Sequence, residues 1–102
     1  MRIISIKTLR EFWQRRPDAE RPLKDWFRTT EAARWRNFLE VRQIFASADT
    51  VKAASGNTVT VFDIGGNKFR LIAAIHHNTG TVYALLVLTH REYDAEKWKA
   101  RL

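Results

Sequence analysis

The chain has 102 residues, 45% of them hydrophobic and 12% aromatic, enough for one buried core and too few for two, so residues 1–102 are expected to form a single domain. Lys and Arg number 18 against 11 Asp and Glu, a formal charge of +7, and such a field favours polyanions, nucleic acid above all. Cysteine is absent, which excludes disulfides, thiolate metal sites and a cysteine nucleophile, and no apolar run suits a bilayer span or a secretory leader, so a soluble cytoplasmic protein is expected.

Arg2 to Ile6 is β-branched and apolar, as a first strand requires, and the period then changes to that of a helix. Leu9, Phe12, Trp13 and Arg16 fall on one helical face, Thr8 and Glu11 have capping-box spacing, and Pro17 stops the helix. Asp18 is placed to cap a second helix, with Pro22 in its first turns and Leu23, Trp26, Phe27, Thr30 and Ala33 as its buried stripe. Asn37 and Glu40 mark a third, short helix that buries Phe38, Val41 and Phe45 and runs into a turn at Ser47 to Thr50. Thr58 to Ile64, Lys68 to His76 and Thr81 to Thr89 are rich in Val, Ile, Thr and aromatic residues. The turns Gly65-Gly66-Asn67 and Asn78-Thr79-Gly80 between them predict an antiparallel meander. Asp94 to Leu102 is expected to close the chain as a helix with Ala95, Trp98 and Leu102 inward. This order specifies an α+β fold with helices on one face of a sheet. Trp13, Trp26, Trp35 and Trp98 read as packing residues, Trp35 fitting the helical stripe least well.

On the middle strand of the meander, alternation puts Phe69, Leu71, Ala73 and Ile75 on one face and Lys68, Arg70, Ile72, Ala74 and His76 on the other. With Gly65-Gly66 as a two-residue loop Asp63 opposes Lys68, and with Gly66-Asn67 it opposes Arg70. In both registers Asp63 neighbours the basic pair, where it either orients Arg70 or cancels part of its field. His90 to Asp94 follows the last strand, where side chains are free to face a cleft. A ribonuclease that uses the RNA's own 2′-OH as nucleophile needs a group to take that proton, cationic donors for the phosphate and an acid for the leaving 5′-oxygen. Arg70, His90 and Tyr93 supply a permanent forked charge, a proton carrier near neutrality and a hydroxyl donor, with no metal required. The same residues admit a structural reading, with Arg70 paired to Asp63 and Tyr93 as a packed aromatic.

Adjacent His76 and His77 point to opposite faces of a strand and cannot readily share an ion, so they read as exposed turn histidines. Gly65-Gly66-Asn67 lacks the Gly-Lys-Ser/Thr ending of a phosphate loop. Neither a metal site nor a cofactor is expected. Arg10, Arg15, Arg16, Arg21, Lys24, Arg28, Arg34, Arg36 and Arg42 form a basic surface, either a solvated face or a docking face for a large RNA.

The opening Met1-Arg2-Ile3-Ile4-Ser5, the run Lys7 to Trp13, Pro17-Asp18-Ala19-Glu20 and Pro22-Leu23-Lys24 together resemble the HigB family of type II toxin–antitoxin toxins. So do Ser47-Ala48-Asp49, Val61-Phe62, Gly66 to Leu71, Val82-Tyr83 and Thr89-His90-Arg91-Glu92-Tyr93-Asp94. The resemblance implies a RelE-like fold, a small twisted antiparallel sheet with N-terminal helices packed on one face. It also implies an mRNA interferase that cleaves message on the ribosome and is silenced by a HigA-type helix-turn-helix antitoxin, through which alone it would meet DNA. Arg70, His90 and Tyr93 fall on the positions that commonly form the active site in this superfamily. Lys68, Lys52 and Arg91 are expected to add cationic contacts to RNA. Asp63 stands where the family commonly carries Asn, and this departure motivates an alternative of another class, a non-catalytic domain that binds RNA, the ribosome or a protein partner on the same fold.

Overall fold

The computed structural model describes residues 1–102. Strand β1 (Arg2–Ile4) leads through Ser5 into helix α1 (Ile6–Arg15), and a 3-10 turn (Pro17–Ala19) joins it to α2 (Glu20–Ala32). Helix α3 (Phe38–Ile44) is followed by β2 (Asp49–Lys52), β3 (Thr58–Ile64), β4 (Phe69–His76) and β5 (Thr81–Thr89), then by α4 (His90–Asp94) and a second 3-10 turn (Lys97–Arg101). No helix is long and apolar enough to cross a membrane.

The helix starts differ from those expected. Ser5 turns the chain at φ +75°, and the Thr8 amide donates to Ser5 O at 2.9 Å, so α1 opens at Ile6 and Thr8 with Glu11 forms no capping box. Asp18 lies inside the 3-10 turn facing Arg16 at 3.5 Å, while α2 starts at Glu20 with no side-chain cap. The third helix is capped as its sequence indicates, Asn37 Oδ1 accepting from the Glu40 amide at 3.1 Å.

The five strands lie in the order β1-β5-β4-β3-β2. The meander β3-β4-β5 is antiparallel, whereas β1 lies parallel to β5 with Ile3 opposite Val82, a pairing that needs the long helical crossover between them. Strand β2 was not expected. Its residues Asp49, Thr50 and Lys52 are exposed and polar, as suits an edge that must not pair with other chains, and such a run reads as a turn. The β3–β4 hairpin pairs Asp63 with Arg70 and Ile64 with Phe69, leaving a four-residue loop rather than either two-residue turn. Gly65 and Gly66 both sit at positive φ, +63° and +69°, open to glycine at little cost. Ile72 pairs with Leu86 but Ala73 with Ala84, so Leu85 is an extra residue that bends β5.

Leu9, Leu23, Trp26, Val41 and Val82 fill the space between the N-terminal helices and one face of the sheet. Phe62 is the hub there, its ring 5.4 Å from Trp26, 5.2 Å from Phe45 and stacked on Trp35 at 6.3 Å. Trp35 misfits a helical stripe because it lies in the α2–α3 connection, where it is buried against Phe62. His77 is no free turn residue, since its Nδ1 stands 3.1 Å from Trp35 O. His76 is exposed and packs edge-on against Tyr83.

The other sheet face carries a smaller cluster, Val59, Val61, Ile72 and Leu88 under Trp98. The C-terminal segment that brings Trp98 there is not one helix. Glu96 takes φ +60°, Ala95 is exposed, and only Trp98 is fully inward with Leu102 half-buried. Replacing Phe62 by Ala removes the hub of three aromatic contacts and should cost about 3–5 kcal/mol, read as a lower urea midpoint with an unchanged denaturant slope.

Candidate active site

Arg70 leaves β4 at the end of the sheet that bears the glycine loop, on the same face as Ile72 and Trp98. Its side chain is only 9% exposed, and Nε lies 3.1 Å from Asp63 Oδ1 on β3. Nη1 donates to Asn67 O at 3.3 Å and to Phe69 O at 3.1 Å. Nη2 donates to Asn67 Oδ1 at 2.6 Å and lies 3.1 Å from His90 Nδ1. A guanidinium carries five N–H groups; the four on Nη1 and Nη2 have hydrogen-bond partners here, and Nε has the Asp63 carboxylate as its ion-pair neighbour. Desolvation of the charge is thereby offset on every side.

His90 opens α4, whose start is fixed twice. The His90 amide donates to Lys68 O at 3.0 Å, tying it to the β3–β4 loop, and Thr89 and Glu92 form a capping box with bonds of 3.2 and 2.9 Å. The signal Thr89-x-x-Glu92 stands in the sequence and marks this helix. Since Arg70 can only donate, His90 Nδ1 must accept, which leaves the ring proton on Nε2. Nε2 in turn lies 3.0 Å from Asp94 Oδ2, one helical turn on. The result is a chain of close contacts, Asp63 to Arg70 to His90 to Asp94, with a hydrogen bond at its centre and a carboxylate at each end.

Tyr93 packs against both Arg70 and Trp98. The Arg70 guanidinium carbon lies 5.6 Å from its ring centroid, and the Trp98 indole stacks on the ring at 5.4 Å and 18°. Trp98 also donates from Nε1 to Tyr93 O at 3.1 Å. One ring face is taken by Trp98, and the hydroxyl is the polar group that Tyr93 offers. Burial pushes the phenol above its ordinary value, with Lys99 and Arg70 pulling it down and Asp49 and Glu96 adding to the rise.

Arg70, His90 and Tyr93 are thus brought into one cluster. Lys68 is exposed on the adjoining loop, and Arg91 is exposed on α4. Lys52 is not brought to this cluster. It pairs with Thr58, five residues before Asp63 on β3, which sets it roughly 17 Å away along the strand. Asn67, Asp94 and Lys99 were not singled out from the sequence. Asn67 lies within the flagged glycine turn, and Asp94 stands four residues after His90, the spacing that puts two side chains on one helical face.

None of the surface recesses is lined by Arg70, His90 or Tyr93. The cluster is an open patch at the sheet's end, unlike the concave pockets that enclose small ligands. No group of three or more His, Cys, Asp or Glu side chains is placed to hold a metal ion.

A profile of the HigB toxins, described as the RelE-like toxic component of a toxin–antitoxin system, matches residues 19–96. The chain belongs to the HigB toxin family. It is also 27% identical over 94 residues to the mRNA interferase toxin HigB of Escherichia coli K12, covering 92% of this chain and 88% of that protein. The mRNA interferase HigB of Shigella flexneri matches to the same extent. The α+β sheet with helices on one face accords with the RelE-like description of this family. The family span includes the whole of β4, the glycine loop and α4, and so every residue of the contact chain.

In this HigB-family protein the raised Tyr93 phenol has a consequence for stability. The unfolded phenol ionises near about 10, while the folded one holds its proton to higher pH. The stabilisation is therefore complete below the unfolded value and is lost as pH rises through the folded one. Denaturant midpoints measured across that range should fall more steeply for the parental protein than for Tyr93→Phe.

Proposed function

We propose that the protein is a cytoplasmic mRNA interferase, an endoribonuclease that cuts message by attack of the RNA's own 2′-oxygen. The observation that carries this reading is the contact between Arg70 and His90 at 3.1 Å, held by the glycine loop and α4 in a member of a toxin family. An open cationic patch suits a polymer presented by a larger body better than a small molecule in a cavity, which supports the translating ribosome as the setting. The internal nucleophile needs no metal-activated water. Family membership supports a HigA-type helix-turn-helix antitoxin as the partner that silences the toxin and carries any contact with DNA.

In the proposed reaction the 2′-oxygen attacks the adjacent phosphorus and the bond to the 5′-oxygen breaks, leaving a 2′,3′-cyclic phosphate and a 5′-hydroxyl. His90, once protonated on both nitrogens, gives its Nε2 proton to the 5′-oxygen. A protonated Nδ1 no longer accepts from Arg70, so the same event frees an Nη2 donor for the crowded phosphate. Until then Arg70 acts through His90, as a positioning residue that fixes the ring and its tautomer. Tyr93 donates its hydroxyl. Lys68 and Arg91 attract the RNA backbone, and Lys52 serves RNA held further along the sheet edge.

The competing reading is a domain that binds RNA or the ribosome without cutting, favoured by one observation, the full occupation of Arg70 by Asp63 and its other partners. Programmed ribosomes, with and without chelator, separate the two. Parental protein should cut message at discrete positions irrespective of chelator. His90→Ala should lower the rate about 10²–10⁴-fold. Arg70→Lys, which keeps the charge and loses the fork, should lower it as well; this variant is preferred to Arg70→Ala, which strips partners from Asp63 and Asn67 in a buried position. Intact message with salt-sensitive ribosome binding would establish the binding domain instead.

A further inference from the structure

We propose that Asp94 is the base of this centre, the group that takes the proton from the attacking 2′-hydroxyl. The inference rests on the ribonuclease reading above and assigns the one role that the other residues of the cluster leave open.

Each other candidate is spoken for. Arg70 has only donors. His90 has no lone pair to spare, its Nδ1 accepting from Arg70 at 3.1 Å and its Nε2, 3.0 Å from Asp94 Oδ2, carrying the ring proton. Tyr93 is held as a phenol by its burial. The Asp63 side chain is 33% exposed and bound to Arg70 Nε. Asp94 differs on both counts. Its side chain is 59% exposed, and its one polar contact is from Oδ2 to His90, so Oδ1 is open to a ligand.

Its position is poorly explained by stability. Asp94 is the last residue of a five-residue helix, the end at which a negative charge gains nothing from the backbone dipole. The capping work is done by Thr89 and Glu92. What the position does achieve is to set a carboxylate and an imidazole side by side on one helical face at the mouth of the patch. A phosphodiester lying across the pair would meet the open Oδ1 of Asp94 as an acceptor for its 2′-hydroxyl and, as Nε2 exchanges Oδ2 for substrate, a donor for its 5′-oxygen.

The step balances. The 2′-O–H bond breaks with its proton passing to Asp94, the 2′-O–P bond forms, and the P–O5′ bond breaks with its electron pair going to the 5′-oxygen. That oxygen takes the Nε2 proton of doubly protonated His90. Asp94 then returns its proton to solvent and His90 regains one from solvent.

The test uses the full chain on programmed ribosomes with two messages, one natural and one carrying a bridging sulfur in place of the 5′-oxygen at the cut position. A sulfur leaving group departs without a proton, so only the base side of the reaction is then demanding. Asp94→Asn should cut both messages about 10²–10⁴-fold more slowly than the parental protein, and Asp94→Glu should recover part of the loss. The His90→Ala deficit should shrink on the sulfur message. An Asp94→Asn deficit that disappears on sulfur would place Asp94 on the leaving-group side and overturn the assignment, as would parental rates on both messages. An unchanged urea midpoint for Asp94→Asn excludes a folding effect, and Asp94→Glu decides the matter should that midpoint move. A parental protein that cuts neither message would remove the ribonuclease reading itself, and the assignment with it.

Discussion

The structure of the working end depends on one buried charge. Arg70 is nine-tenths enclosed, and a guanidinium in that position is tolerable only if all its donors are met. The partners come from four places: Asp63 on β3, Asn67 on the loop, Phe69 O on its own strand and His90 on α4. Meeting that demand fixes the β3–β4 register, the shape of the glycine loop and the start of α4 at once. The residue that looks most like a phosphate clamp in the sequence is therefore first an organiser of the cluster, with the His90 imidazole held at its outer end.

Asp63 takes on a different meaning in this light. Beside a free arginine it would weaken attraction for phosphate, which is the concern its presence raises. Beside an arginine already committed to protein acceptors, it is the ion-pair partner at Nε, while Nη2 faces the ring. The carboxylate orients the fork. Tyr93 likewise touches both Arg70 and Trp98, so its ring lies beside the charge and Trp98 links the centre to the hydrophobic cluster beneath.

Much of this architecture was legible in the residues. The meander could be read because its strands are runs of Val, Ile and Thr broken by glycine, and the helices because Leu23, Trp26 and Thr30 recur at helical spacing. The edge strand β2 was not legible, since Asp49, Thr50 and Lys52 are polar for the very reason that the edge is exposed. Helix α4 was legible in principle from Thr89 and Glu92 but is too short to show periodicity. Of the centre, Arg70, His90 and Tyr93 were nameable by their chemistry. That Asn67 holds the arginine could not be read, because it depends on a four-residue loop geometry that two glycines permit. Nor could the distance of Lys52 from the cluster, which is set by its pairing with Thr58 on a strand the sequence concealed.

The parallel pairing of β1 with β5 makes the order of assembly matter. Ile3 meets Val82, so one of the sheet's edge pairings waits until β5 has been made, and contacts of such sequence separation form slowly. Trp98, which backs Tyr93, comes later still along the chain. A chain still being made can hold helices and a hairpin, but not the backed tyrosine or the completed sheet. The cluster around Arg70 is therefore complete only in a chain that has been made through Trp98.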